Sequence, residues 1–200
     1  MLKNGYKVVK NFIAPSFADY LKNYSLLKET ILSPRFPWFY SSASTVGDDV
    51  KGHLNMPVFS HTFVGRPEMY GWSTTDSEIH QLAINVVREI MSENQYYTNE
   101  YFILRLASNC VVPRNGIQFS SPHIDHKFPH YNLIVYLTNS GGSTFIEGKE
   151  HKPEEDQAIL FTGEHYLQLP KKERRIVLVA TIFPLDEKNL NLLKIPYLDV

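Results

Sequence analysis

Within Ser121-Pro122-His123-Ile124-Asp125-His126, an imidazole and a carboxylate stand two positions apart. On an extended backbone, residues i and i+2 share a face, so His123 and Asp125 would project side by side. That pair supplies two thirds of a two-histidine, one-carboxylate facial triad, an arrangement suited to non-haem Fe(II) that leaves open positions on the metal. The third ligand must come from elsewhere, because one strand cannot wrap three donors around an ion. His165, in Phe161-Thr162-Gly163-Glu164-His165, is the candidate, forty residues after Asp125 and just beyond an apolar segment and a glycine turn. Ten residues later, Arg175 opens the apolar run Ile176 to Phe183. Burying an unpaired guanidinium is costly, and a carboxylate can satisfy it through a bidentate pair. No acidic residue close in sequence is its obvious mate. A ligand carboxylate and a surface pairing with Glu173 both stay open.

The elements that must position these groups are mostly strands. Tyr6 to Ile13 reads as a first strand, ended by Pro15. From Ser16 to Leu32, the apolar residues Phe17, Tyr20, Leu21, Tyr24, Leu27 and Ile31 recur at helical spacing. Pro37 to Tyr40 and Met56 to Val64 read as strands, with a polar stretch, Ser41 to Asn55, between them as a loop or lid. Ser73 to Asp76 offers helix-start chemistry for a second helix, Ser77 to Asn94. Both helices are expected to buttress a sheet. After Glu100 the pattern turns to short strands: Tyr101 to Leu106, Ile117 to Ser120, Tyr131 to Thr138, Ser143 to Ile146, Ala158 to Phe161 and Arg174 to Phe183. Asn115-Gly116, Ser140-Gly141-Gly142 and Gly163 separate them. Such a series predicts a barrel or jelly roll. The expected fold class is therefore mainly β with flanking helices (α+β).

Two hundred residues suit a single domain spanning 1–200. Twenty basic residues against twenty-one acidic ones give no electrostatic footprint for nucleic acid or anionic lipid. One cysteine, Cys110, rules out an internal disulfide and a cysteine-rich zinc site, and a reducing cytoplasm is the expected setting. Cys110 has no neighbour to activate it and is expected to be a buried thiol. The first ten residues do not resemble a secretory leader. The longest apolar run, Ile176 to Phe183, is too short to cross a bilayer. No phosphate-binding glycine loop and no nucleophile elbow is present.

Taken together, Pro122-His123-Ile124-Asp125, Tyr136-Leu137-Thr138, Gly141-Gly142-Ser143-Thr144, His165 and Arg175, in that order, resemble the Fe(II)/2-oxoglutarate-dependent dioxygenases. The nearest subgroup is the prolyl-4-hydroxylase-like branch with its small bacterial and phage members. The resemblance covers about Phe102 to Phe183 and implies a double-stranded β-helix, a cupin-like jelly roll. It implies His123, Asp125 and His165 as iron ligands. Arg175 and Tyr136 would bind the distal carboxylate of 2-oxoglutarate. Asn109 falls where the family often has a polar pocket residue such as Tyr, and Thr144 would line the same pocket. The implied reaction decarboxylates 2-oxoglutarate to succinate, consumes O2 and hydroxylates a primary substrate, with ascorbate as a stimulant. That substrate could be a protein prolyl residue, an amino acid or another small molecule. The alternative is a catalytically inactive jelly roll serving in binding or in structure.

Some assignments have rivals. Arg174 would replace Arg175 if the strand slipped by one residue. His151, among charges, is expected in solvent and would replace His165 only if the strand order differed. His126 and His130 are expected at the rim of the site. Lys127, Arg105 and Arg114 are cations that could meet an anionic substrate, although exposed cations are common.

Overall fold

The computed structural model describes residues 6–9, 21–42, 53–54, 56–93, 101–115 and 119–185. The elements in chain order are β1 (Tyr6–Val9), α1 (Leu21–Leu32), β2 (Phe39–Ser41), β3 (His53–Leu54), β4 (Val58–Val64), α2 (Pro67–Tyr70), α3 (His80–Glu93) and β5 (Tyr101–Val111). They continue with β6 (Phe119–Ser120), β7 (Tyr131–Tyr136), β8 (Thr144–Ile146), β9 (Lys149–His151), β10 (Ala158–Phe161), β11 (His165–Leu167) and β12 (Arg175–Pro184). Most of the expected loop between Ser41 and Asn55, the beginning of the first expected helix and the stretch after residue 185 lie outside the described residues.

A seven-stranded sheet in the order β1-β10-β7-β12-β5-β4-β2 forms one wall, and β11-β8-β9 forms a smaller second sheet. This is the expected jelly-roll class, mainly antiparallel β with helices on the outside. The central strand, β12, lies between β5 and β7 and is buried along its whole length. A strand covered on both faces needs a continuous apolar run, as Ile176 to Phe183 provides. Alternation then splits the wall. Ile176, Leu178, Ala180 and Ile182 join Leu133, Val135 and Leu106 in a core shared with the helices. Val177 and Val179 point the other way, into a second core with Ile134, Tyr136, Ile146, Ile159 and Phe161. The chemistry lies on this inner side.

Tyr24, Leu27 and Ile31 of α1 and Ala83, Val86, Val87, Ile90 and Met91 of α3 enter the outer core, so both helices do buttress the sheet. Each buried leucine, isoleucine, valine or methionine among them contributes about 1.5–3 kcal/mol relative to exposure. α3 starts three residues later than its polar lead-in suggests. The Ser77 carbonyl accepts the backbone N–H of His80 (3.0 Å) and its ring Nδ1–H (2.7 Å), so a tight turn precedes the helix. The short helix α2 was not expected, although Pro67 at its first turn carries the signal for one. Among the described residues, no helix is long and apolar enough to cross a membrane.

Candidate metal centre

His123 and His165 come together through the backbone. The two residues form an antiparallel bridge and exchange both N–H···O=C bonds at 3.0 Å. Their rings lie 4.3 Å apart, centroid to centroid. The segment is stitched down further by Ser120 Oγ, which accepts the Leu167 N–H at 3.0 Å. The expected reason for the pairing of His123 with Asp125 was an extended strand. The structure differs here: His123 sits in an isolated bridge and Asp125 in a bend, and β6 ends earlier, at Ser120. The two side chains still converge. One ligand atom from each of His123, Asp125 and His165 lies within 4.8 Å of the others.

The tautomers follow from what each ring faces. His123 Nδ1 is 3.2 Å from the Ser121 carbonyl and His165 Nδ1 is 3.3 Å from the Gly163 carbonyl. A carbonyl only accepts, so each Nδ1 carries the proton and donates it. In the neutral rings, Nε2 is then left with a free lone pair, the form a metal requires. Burial, and then the charge of His123, push the His165 imidazole down to about 4, against the pull of Asp125. Burial also lowers His123, again opposed by Asp125. Both rings are therefore neutral donors near pH 7. Gly163 stands at φ 96°, where an L side chain is strained, and a Cβ there would meet the Glu147 carboxylate.

Asp125 is held by arginine. Arg66 Nη2 donates to Oδ1 at 2.6 Å, and Nη1 donates to the Asp125 backbone carbonyl at 2.9 Å. Arg105 Nη1 is 3.8 Å from the same Oδ1. The other oxygen, Oδ2, faces His165 Nε2 at 3.4 Å. Burial raises the Asp125 carboxyl, but His165, Arg105, Arg66 and His123 outweigh that and hold it well below the usual carboxylate range. One oxygen is thus anchored by guanidinium and the other is presented to the imidazoles. Nothing in the local sequence marked Arg66, which lies fifty-nine residues from Asp125.

The three donors line a cavity of about 80 Å³ together with Arg175, Asn109 and Thr144. Arg175 is 3 % exposed, which excludes the surface pairing with Glu173. Its Nη2 donates to Thr144 Oγ1 at 3.0 Å, while Nε has no partner. The guanidinium carbon lies 5.4 Å from the Tyr136 ring centroid, and the Tyr136 hydroxyl is 2.7 Å from Thr144 Oγ1. Asn109 and Tyr136 stand opposite the same residue, Val177, on either side of β12. Asn109 Oδ1 is also unpartnered. Arg174, the rival, is exposed and outside the cavity lining.

Three expectations are corrected. His126 and His130 are buried rather than at a rim: His126 pairs with Glu68 through Nδ1 and with Thr181 Oγ1 through Nε2 (2.8 Å). His151 is buried and stacked on Tyr136, not in solvent. Arg105 belongs to the cavity wall rather than to the outer surface. Cys110 is a buried free thiol, as expected.

No protein-family model and no curated protein matches the sequence. Solved structures do match the fold. An oxidoreductase of the 2OG-Fe(II) oxygenase family from Burkholderia pseudomallei is 15 % identical, with a TM-score of 0.64 over 90 % of this chain and 86 % of its own. The viral collagen prolyl hydroxylase of Paramecium Bursaria Chlorella virus-1, solved with 2OG, is 14 % identical, with a TM-score of 0.54 over 90 % and 96 %. The fold is that of the 2OG-Fe(II) oxygenases. A third oxygenase-fold protein, the non-heme alpha ketoglutarate dependent epimerase SnoN from nogalamycin biosynthesis, is 12 % identical, with a TM-score of 0.56 over 90 % and 77 %. The oxygenase fold thus appears here at identities that establish architecture and leave chemistry to the site itself.

Proposed function

We propose that this chain is a non-haem Fe(II)- and 2-oxoglutarate-dependent dioxygenase that hydroxylates a primary substrate. The observation that carries the reading is the convergence of two imidazole nitrogens and one carboxylate oxygen in a cavity that also holds a buried guanidinium without an acidic partner. A nitrogen-nitrogen-oxygen donor set with room left on the metal suits Fe(II). A ferrous ion held there would supply the redox chemistry that couples decarboxylation of 2-oxoglutarate, with O2, to oxidation of the substrate.

The protein's own part is positioning. The Ser121 and Gly163 carbonyls fix the two tautomers, and Arg66 fixes the carboxylate. Arg175, with Thr144 and Tyr136 beside it, would receive the far carboxylate of the oxo-acid through charge-assisted bonds. Asn109 Oδ1 would accept a hydrogen bond from a group in the same cavity. Val177, Val179 and Ile134 keep the wall between these polar groups apolar.

The direct test is formation of succinate from 2-oxoglutarate with Fe(II) and ascorbate, with and without candidate substrates. Succinate that depends on Fe(II) and is lost in His123→Ala supports the reading. No succinate, together with no uptake of metal, would favour the alternative of a binding or structural jelly roll.

A further inference from the structure

Three arginines line the cavity, Arg66, Arg105 and Arg175, against one acidic residue, Asp125. Two of the three have work there. Arg66 is bound twice by Asp125, and Arg175 faces the pocket that the reading above gives to 2-oxoglutarate. Arg105 is left over. Its nearest anion is the Asp125 oxygen already held by Arg66, at 3.8 Å, beyond hydrogen-bonding range. Among the described residues, no hydrogen bond reaches its guanidinium. Its side chain is 19 % exposed, so the charge is largely removed from water. A largely desolvated cation that shares one carboxylate oxygen with Arg66 carries a cost that an incoming anion would relieve.

Its place along the sheet separates it from the oxo-acid pocket. Arg105 on β5 stands opposite Thr181 of β12, whereas Val111 stands opposite Arg175. The two guanidinium-bearing positions are thus six residues apart in register, roughly 20 Å along the strands at about 3.3 Å per residue. Arg105 lies beside Asp125, whereas Arg175 lies beside Thr144 and Tyr136.

We propose that Arg105 receives a carboxylate of the primary substrate, which makes that substrate a small carboxylic acid, such as a free amino acid. This rests on the oxygenase reading and names its substrate class. The rival role for Arg105 is to support Asp125 alone. Arg66 already does so through two hydrogen bonds at shorter range, so that role leaves Arg105 redundant.

The test is a thermal-shift titration of protein loaded with Mn(II) and N-oxalylglycine, an unreactive oxo-acid mimic that occupies Arg175. The probes are the free L-amino acids, each paired with its own carboxamide. At least one acid is expected to bind about ten-fold or more tightly than its amide, the worth of one charge-assisted pair. That preference should vanish in Arg105→Met and return in part in Arg105→Lys, with binding of N-oxalylglycine unchanged. Equal binding of acids and amides throughout, or a preference that survives Arg105→Met, would overturn the proposal. Loss of Mn(II) affinity in Arg105→Met with the acid preference intact would assign the residue to Asp125 instead. Failure to take up Mn(II) would count against the oxygenase reading. The same panel on Arg175→Met protein without metal would then decide Arg105 separately, by the same two outcomes.

Discussion

His123 and His165 are forty-two residues apart in sequence, yet each donates its backbone N–H to the other's carbonyl at 3.0 Å. The two imidazoles are therefore carried by a backbone-bridged pair, set by register. A slip of one residue would turn one ring to the opposite face and undo the site.

That dependence makes Gly163 a sensitive position. It holds the turn at φ 96° and supplies the carbonyl that orients His165. Gly163→Ala should cost roughly 1–2 kcal/mol of stability, the strain of a left-handed L residue. It should also weaken metal binding. Denaturant unfolding and a metal titration check both. A variant as stable and as tight as the parent would mean that the turn does not constrain the ring.

Arg66 is expected to act on the metal through Asp125. Residues that orient ligands typically cost about 10–100-fold in metal affinity when removed. Arg66→Met should fall in that range, with partial recovery in Arg66→Lys, as read by Mn(II) titration. Unchanged affinity would show that Asp125 needs no such support.

Arg175 is expected to separate binding of the oxo-acid from binding of the metal. Arg175→Met should raise the KM for 2-oxoglutarate about ten- to a hundred-fold, the worth of a hydrogen bond to a charged group. Mn(II) affinity should stay within a small factor. A larger effect in Arg174→Met would move the role to that neighbour.

The three histidines His123, His126 and His165 all have imidazoles lowered by burial. A group lowered in the folded state resists protonation there, so its contribution is present above the unfolded value and is lost as pH falls. For His165 the window runs from about 6.5 unfolded down to about 4 folded. The metal-free protein should lose roughly 3 kcal/mol across it from this residue alone. Asp125, also lowered, adds acid sensitivity below that window. Urea unfolding at a series of pH values would show a flat profile if these rings were free to protonate.

Much of this was legible in the residues, and the remainder was not for identifiable reasons. The run Ile176 to Phe183 announces a doubly covered strand, and β12 is one. His123, Asp125 and His165 stand out by type and order, and the fold brings them to one point. The local cause was misread, because a bend and an isolated bridge leave no period to read. Arg66 was invisible, since a pairing across fifty-nine residues has no local signature. Charged neighbours made His151 look solvated, whereas Tyr136 covers its ring. β9 and β11 are three residues each, too short for an alternation to register.

The most direct measurement is calorimetric titration of the metal-free protein with Mn(II), as an air-stable stand-in for Fe(II), followed by 2-oxoglutarate. The account predicts one Mn(II) per chain, binding of 2-oxoglutarate that is strengthened by the metal, and loss of the Mn(II) site in His165→Ala. Mn(II) binding that is absent, or that is equally tight in His165→Ala, would contradict it.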